Sequence, residues 1–385
     1  MSTQETGPPE STNTRHNDAG LSFLDDHVLG DISPRVSVSV VIPAYQCAQY
    51  IAGAVESVLI QSYSDREVIV VNDGSPDSAL LETALRPYRD KIRYIKQPTG
   101  GPASARNRGI LEARGEHIAF LDADDYWCSD HLAKQMALLQ QDPDLDLVYC
   151  DCILVKDEKP LTRAFNEQPQ VGRVTFDSLL VEDCAIGTST TVVSRNAIMR
   201  AGAFDPSFIR CEDFDMWLRM AFAGARMAYH SDAQVFHRIS DTSLSADRWS
   251  MKQDRIRVYR KIASTLPVSE GQRHVLEELV AKTEADSDID LLKHFLRLGE
   301  YSKALDAAQR ANARKGSWKV RIAYLGLYLA PRLFRQLHRA RAWLFRHDNH
   351  PATDRIRKSG SSETSDDSSC LAGQPGGDGR PRTTV

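Results

Sequence analysis

Residues 117–125 read His-Ile-Ala-Phe-Leu-Asp-Ala-Asp-Asp, and the fold is read outward from them. A short apolar run of strand character ends abruptly in three acids, Asp122, Asp124 and Asp125. Carboxylates this close repel one another unless a cation or a positive side chain compensates them. A hard divalent ion such as Mg2+ or Mn2+ takes carboxylate oxygens and shares itself with substrate phosphates. An Asp at a strand-to-helix junction can instead cap the helix by accepting backbone N–H bonds. From the sequence alone both roles stand open.

Similar β-branched runs lie at 38–42, 67–71, 92–95 and 147–151, separated by helical patterns at 47–61, 77–88, 102–114 and 130–141. This alternation predicts an α/β fold, with a mostly parallel sheet and helices on both faces. Runs such as Val-Ile-Val-Val (68–71) lack polar alternation, as expected of strands covered on both sides. In such sheets ligands bind beyond the carboxyl ends of the strands. Those ends deliver Pro43-Ala44-Tyr45, then Asn72-Asp73-Gly74-Ser75, then the acids at 122–125. Tyr45 is placed to stack on a base and Asp73 to accept a base N–H, although Asn, Asp and Gly also make ordinary turns.

Two further stretches carry chemistry. Gly100-Gly101-Pro102 opens a helix whose N-terminus favours phosphate, with Arg106 and Arg108 on its first turns. Glu212-Asp213-Phe214-Asp215 begins another amphipathic helix, where the macrodipole favours acids with or without a catalytic role.

Composition narrows the classes. The 385 residues hold 48 Lys and Arg against 52 Asp and Glu, a net charge of −4, which argues against a nucleic-acid partner. Seven cysteines without metal-type spacing fit reduced thiols in a cytoplasmic setting. No signal peptide or membrane-spanning run is expected. Residues 1–34 and 350–385 are polar and read as disordered arms, flanking a catalytic domain at 35–247 and a helical region at 248–349. Within that region, 289–298 and 301–311 read as a helical hairpin joined at Gly299, and 318–346 as one longer amphipathic stretch. From 314 to 346 there are Lys and Arg but no Asp or Glu, interleaved with aromatic and aliphatic residues. That pattern suits peripheral contact with the inner face of an anionic membrane.

Taken in order, Val-Ile-Pro-Ala-Tyr (41–45), Val-Asn-Asp-Gly-Ser (71–75), Gly-Pro-Ala-Ser-Ala-Arg-Asn-Arg-Gly (101–109), Phe-Leu-Asp-Ala-Asp-Asp (120–125) and Glu-Asp-Phe-Asp-Met-Trp-Leu-Arg (212–219) resemble family 2 glycosyltransferases of the GT-A fold. The resemblance implies a GT-A type nucleotide-binding mixed sheet flanked by helices, with a helical C-terminal extension. It also implies inverting transfer of a sugar from a nucleotide-diphosphate donor, a UDP-sugar, to a hydroxyl of a glycan or lipid-linked acceptor. Carried over by position, Pro43, Ala44, Tyr45, Asp73, Gly101, Arg106 and Asp122 would surround the nucleotide. Asp124 and Asp122 would hold Mn2+ or Mg2+, with Asp125 as a supporting acid. Asp213 would be the general base, with Glu212 beside it. Where the family often has a metal-approaching His, this chain has Ser240, so Arg238 and His237 are the candidates for diphosphate contact. The other readings are a nucleotide-sugar-forming nucleotidyltransferase and a non-catalytic sugar-nucleotide-binding scaffold.

Overall fold

The computed structural model describes residues 36–164, 174–181, 186–240, 243–315 and 318–333. The expected arms at 1–34 and 350–385, and all of 334–349, lie outside the described residues. The strands are β1 (Val36–Ala44), β2 (Arg66–Asp73), β3 (Arg93–Gln97), β4 (Gly115–Phe120), β5 (Tyr126–Trp127), β6 (Leu147–Lys156), β7 (Lys159–Arg163), β8 (Thr191–Ser194) and β9 (Met227–Arg238). The α-helices are α1 (Ile51–Leu59), α2 (Ser78–Leu85), α3 (Gly101–Glu112), α4 (His131–Gln141), α5 (Phe176–Leu180), α6 (Arg195–Arg200), α7 (Glu212–Phe222), α8 (Arg248–Thr265), α9 (Glu270–Leu298), α10 (Tyr301–Lys315) and α11 (Trp318–Leu329).

One sheet runs in the order β3-β2-β1-β4-β8-β6-β9-β5, with β7 hairpinned onto β6. The first four strands are parallel, as the βα alternation predicts. Beyond β4 the sheet is mixed: β8 pairs antiparallel with both β4 and β6, while β6 and β9 are parallel. The mostly parallel expectation therefore holds for the half built from β1 to β4. It fails in the second half, where β8 follows a short 3-10 turn rather than a crossover helix.

The absence of polar alternation in the strands has a direct consequence in packing. Val41, Ile69, Val71, Ile118 and Phe120 point to one face, where α3, α6, α7 and α8 bury them. Val38, Val40, Ile42, Val68, Val70 and Leu121 point to the other, beneath α1, α2 and α4. Close approach of α3 to β1 requires Gly109, because a Cβ there would lie 2.2 Å from Val41 Cγ1.

The C-terminal helices follow from local signals. Ser269 and Gln272 form a capping box at the start of α9. Gly299, at φ 75°, closes its far end, and Glu300 N donates to Phe295 O. The expected hairpin about Gly299 is present, but its first arm is the last part of a 29-residue helix. The expected single stretch from 318 is interrupted at Ala330, because Pro331 has no N–H to continue α11.

Candidate active site

The site lies at the carboxyl ends of β1, β2 and β4, where α7 and β9 reach across. Ala44 is buried at the end of β1, following Pro43. Tyr45 is 49% exposed. The loop after it is braced from below. Gln46, at φ 50°, donates its N–H to Ser75 Oγ at 2.7 Å, and Ala48 N donates to Asp77 Oδ2 at 3.0 Å.

Asp73 is buried and already engaged. Gly100 N donates to its Oδ1 at 2.9 Å, Gln97 Nε2 to the same oxygen at 2.7 Å, and Gly101 N to Oδ2 at 2.7 Å. The two N–H groups that the sequence offers to a phosphate thus converge on Asp73, which caps α3 from another strand end. A carboxylate has about four acceptor positions, so these three bonds leave room for one more donor.

Arg106 is the hub. It is buried on α3, with Nη1 2.6 Å from Glu212 Oε1 and Nη2 2.6 Å from Asp122 Oδ1. Its guanidinium also lies 5.6 Å from the Phe204 ring centroid. A side chain expected to flank the nucleotide joins two of the acids expected around the site.

Glu212 and Asp213 open α7 directly after Cys211, which sits in the left-handed region at φ 60°. Backbone in that region is costly for a residue with a Cβ and recurs at functional sites. Burial pushes the Glu212 carboxyl up to about 7, the neighbouring Asp213 adding to the shift and Arg106 opposing it. Burial likewise raises Asp213, against the pull of Arg106 and of the hydrogen bonds from Phe214 N and Thr188 Oγ1.

The three acids after β4 divide their roles. Asp125 is fully buried and accepts from Ser189 Oγ at 2.6 Å, from Arg238 N at 3.0 Å and from His237 Nδ1 at 3.0 Å. Facing Asp125 lifts His237 to about 9, so the imidazole is cationic at neutral pH. Asp124 is pushed up to about 7, first by burial and then by the charges of Asp125 and Asp122. Asp122 accepts from Arg106 through one oxygen and donates its backbone N–H to Ser189 Oγ at 3.0 Å.

Asp124 and Asp122 present hard oxygen donors, the kind that suits Mg2+ or Mn2+. Asp125 is fully buried and already holds three donors. Among the described residues no three His, Cys, Asp or Glu side chains form a metal-holding group. An ion at Asp124 would therefore draw the rest of its shell from phosphate and water, as Mg2+ commonly does.

Arg238 is held more tightly than its sequence position suggests. Glu158, at the turn of the β6–β7 hairpin, takes Nε and Nη2 at 3.0 Å each, and Nη1 donates to Asp124 O at 2.7 Å. Tyr50 and Tyr126 flank it, their ring centroids at 5.1 and 4.8 Å. His237 keeps a side chain 41% exposed.

Sequence reasoning missed the turn Thr188–Thr190. Thr188 bonds Asp213, Ser189 bonds both Asp125 and Asp122, and Ser189 O accepts from Trp127 Nε1 at 2.8 Å. The available signal was the run of four hydroxyl residues, 188–191, after Gly187. Such residues favour bonding to nearby backbone and caps over regular strand.

Comparison with known proteins agrees with this layout. The family described as "Glycosyl transferase family 2" matches residues 39–204, which hold the ends of β1, β2 and β4 and the acids at 122–125. This domain belongs to glycosyl transferase family 2. An uncharacterised glycosyltransferase of Rickettsia typhi is 32% identical over 190 residues, covering 47% of this chain and 58% of that protein. The chain thus spans little more than half of that relative. The UDP-Glc:alpha-D-GlcNAc-diphosphoundecaprenol beta-1,3-glucosyltransferase WfaP of Escherichia coli is 28% identical over 216 residues, covering 55% of this chain and 81% of WfaP. In fold, the family 2 domain and its helical extension are similar to S. aureus TarS 1-349, solved with UDP-GlcNAc, at a TM-score of 0.55 and 19% identity over 79% of this chain and 92% of TarS 1-349. They are also similar to the mannosyltransferase PcManGT from Pyrobaculum calidifontis, solved with GDP-Man and Mn2+, at a TM-score of 0.53 and 20% identity over 83% of this chain and 91% of PcManGT. These neighbours place the fold in the GT-A class, a mixed curled sheet with flanking helices and a helical C-terminal region. The family match ends at Phe204, so Glu212 and Asp213 enter the site on the geometry alone.

Proposed function

We propose that the chain transfers a sugar from a UDP-sugar to a hydroxyl of a glycan or lipid-linked acceptor, with inversion at the anomeric carbon. The observation that carries this reading is the bridge of Arg106 between Asp122, on the donor side, and Glu212, beside Asp213. Asp122 would then lie near the leaving group and Asp213 near the incoming alcohol, their two regions joined by one side chain. Tyr45, Pro43 and Ala44 would line the base, and Gly101 would close over the nucleotide. A divalent ion held by Asp124 and Asp122 would supply Lewis-acid charge to the departing diphosphate.

The remaining chemistry belongs to the chain. An alcohol is a weak nucleophile, and Asp213 would take its proton as the new C–O bond forms and the bond to the diphosphate breaks. A raised carboxyl suits that task, because a stronger base still ionised near neutral pH accepts the proton more readily. Glu212, fixed by Arg106, would hold Asp213 in place. His237, cationic beside Asp125, and Arg238 would add positive charge on the diphosphate side. WfaP, named for a diphosphoundecaprenol acceptor, supports an acceptor of the lipid-linked class.

A panel of nucleotide-sugars incubated with Mn2+ and the purified chain tests the reading. Release of UDP from one donor, stimulated by an acceptor, is the expected result. No nucleotide release from any donor, with or without acceptor glycans, would contradict it.

A further inference from the structure

The face of α11 turned away from the body of the chain has no place in glycosyl transfer. Val320 and Leu327 are buried, and Leu327 packs with Leu292, Tyr301 and Ala304 on α9 and α10. At about 100° per residue, Ile322, Leu325 and Leu329 fall on the opposite side of the helix. They lie in the open together with Tyr328 and Leu333, all between 49% and 70% exposed. Exposed Lys319 borders this stripe on one side and exposed Arg321 on the other. An apolar stripe edged by cations is the pattern of a helix lying in a membrane interface, its apolar side chains entering the boundary between headgroups and acyl chains.

We infer that α11 seats the chain on the surface of an anionic phospholipid bilayer. Charge complementarity selects this occupant. Residues 318–333 carry no acid, and exposed Arg321 and Arg332 edge the stripe, so a second copy laid face to face on it would bring cation against cation. A bilayer rich in anionic headgroups meets the apolar stripe and the flanking cations at once. Among the described residues no helix is long and apolar enough to cross a membrane, so the contact would be one of lying on the surface. The inference stands apart from the catalytic reading and is tested without turnover.

The test is co-sedimentation of the full chain with vesicles of equal parts phosphatidylglycerol and phosphatidylcholine, and with phosphatidylcholine alone. The chain should pellet with the anionic vesicles, less so as salt rises, and stay in solution with the neutral ones. Leu325→Glu with Leu329→Glu should lower the partition coefficient by about tenfold or more, and Arg321→Glu with Arg332→Glu by a similar factor. Because these side chains are exposed, the thermal transition of each variant should stay at the wild-type value, which separates lost docking from lost folding. Unchanged pelleting of the Leu325→Glu/Leu329→Glu variant would overturn the inference, as would a wild type that stays in solution with anionic vesicles at low salt. A dimer in light scattering that this variant dissolves would assign the face to a second copy instead.

Discussion

Arg106 donates to Glu212 at 2.6 Å across 106 positions of sequence, and this contact ties α3 to the first turn of α7. The other terminal nitrogen holds Asp122 at the same distance. Three elements far apart in the chain therefore share one buried cation, and the two acid groups of the site are fixed relative to each other by it.

Removing that cation leaves the buried Glu212 carboxylate without compensation, a loss of about 3–5 kcal/mol, with the partly exposed Asp122 adding less. Arg106→Met should lower the denaturation midpoint accordingly, measured by urea unfolding. Combining it with Glu212→Leu should return part of the stability while transfer stays abolished. A single Arg106→Met variant with wild-type stability would mean that the bridge is not formed.

Thr188 favours the ionised form of Asp213, against the effect of burial. Its hydroxyl bonds Asp213 Oδ2 at 3.1 Å and stabilises the charged form. A general base must be ionised, so the rate should fall as pH drops through a value above the ordinary aspartate range. Thr188→Val removes a bond to the charged form, and the acidic limb of kcat/KM should move to higher pH. A limb that stays in place, or moves down, would show that Asp213 does not govern the profile.

His131 makes stability sensitive to acid. The ring is fully buried, stacked on Trp127 at 4.3 Å, and burial pushes its pKa from 6.5 to about 3. The unfolded chain takes up this proton near pH 6.5, while the folded chain refuses it until about pH 3. Stability present above pH 6.5 is thus lost progressively as pH falls toward 3. His131→Phe, close in shape, should flatten the decline in Tm over that window. An equal decline in both proteins would place the acid sensitivity elsewhere.

What the sequence revealed and what it hid follow from distance along the chain. The strands from β1 to β4 were legible because their apolar runs and turn residues are local, and Gly299 announced a helix end for the same reason, whereas the expected stretch from 318 ran through the equally local signal of Pro331. The acids at 122–125 were legible as a group, but their division of labour was not. Asp125 is claimed by His237 and Arg238 from β9, and Asp122 by Arg106 from α3. No spacing rule encodes such pairings. Glu158 was unreadable for a similar reason: its hold on Arg238 depends on the register of β6 with β9. The pairing of Arg106 with two acids was hidden because a cation near a helix start fits phosphate as readily as it fits carboxylates.

The most direct measurement compares Asp213→Asn with the wild type in both donor binding and transfer. Asn keeps the shape but cannot take a proton, so kcat should fall by about 10²–10⁴-fold while the Kd for the UDP-sugar changes little. Turnover near the wild-type rate, or donor affinity lost with turnover retained, would contradict the role of Asp213.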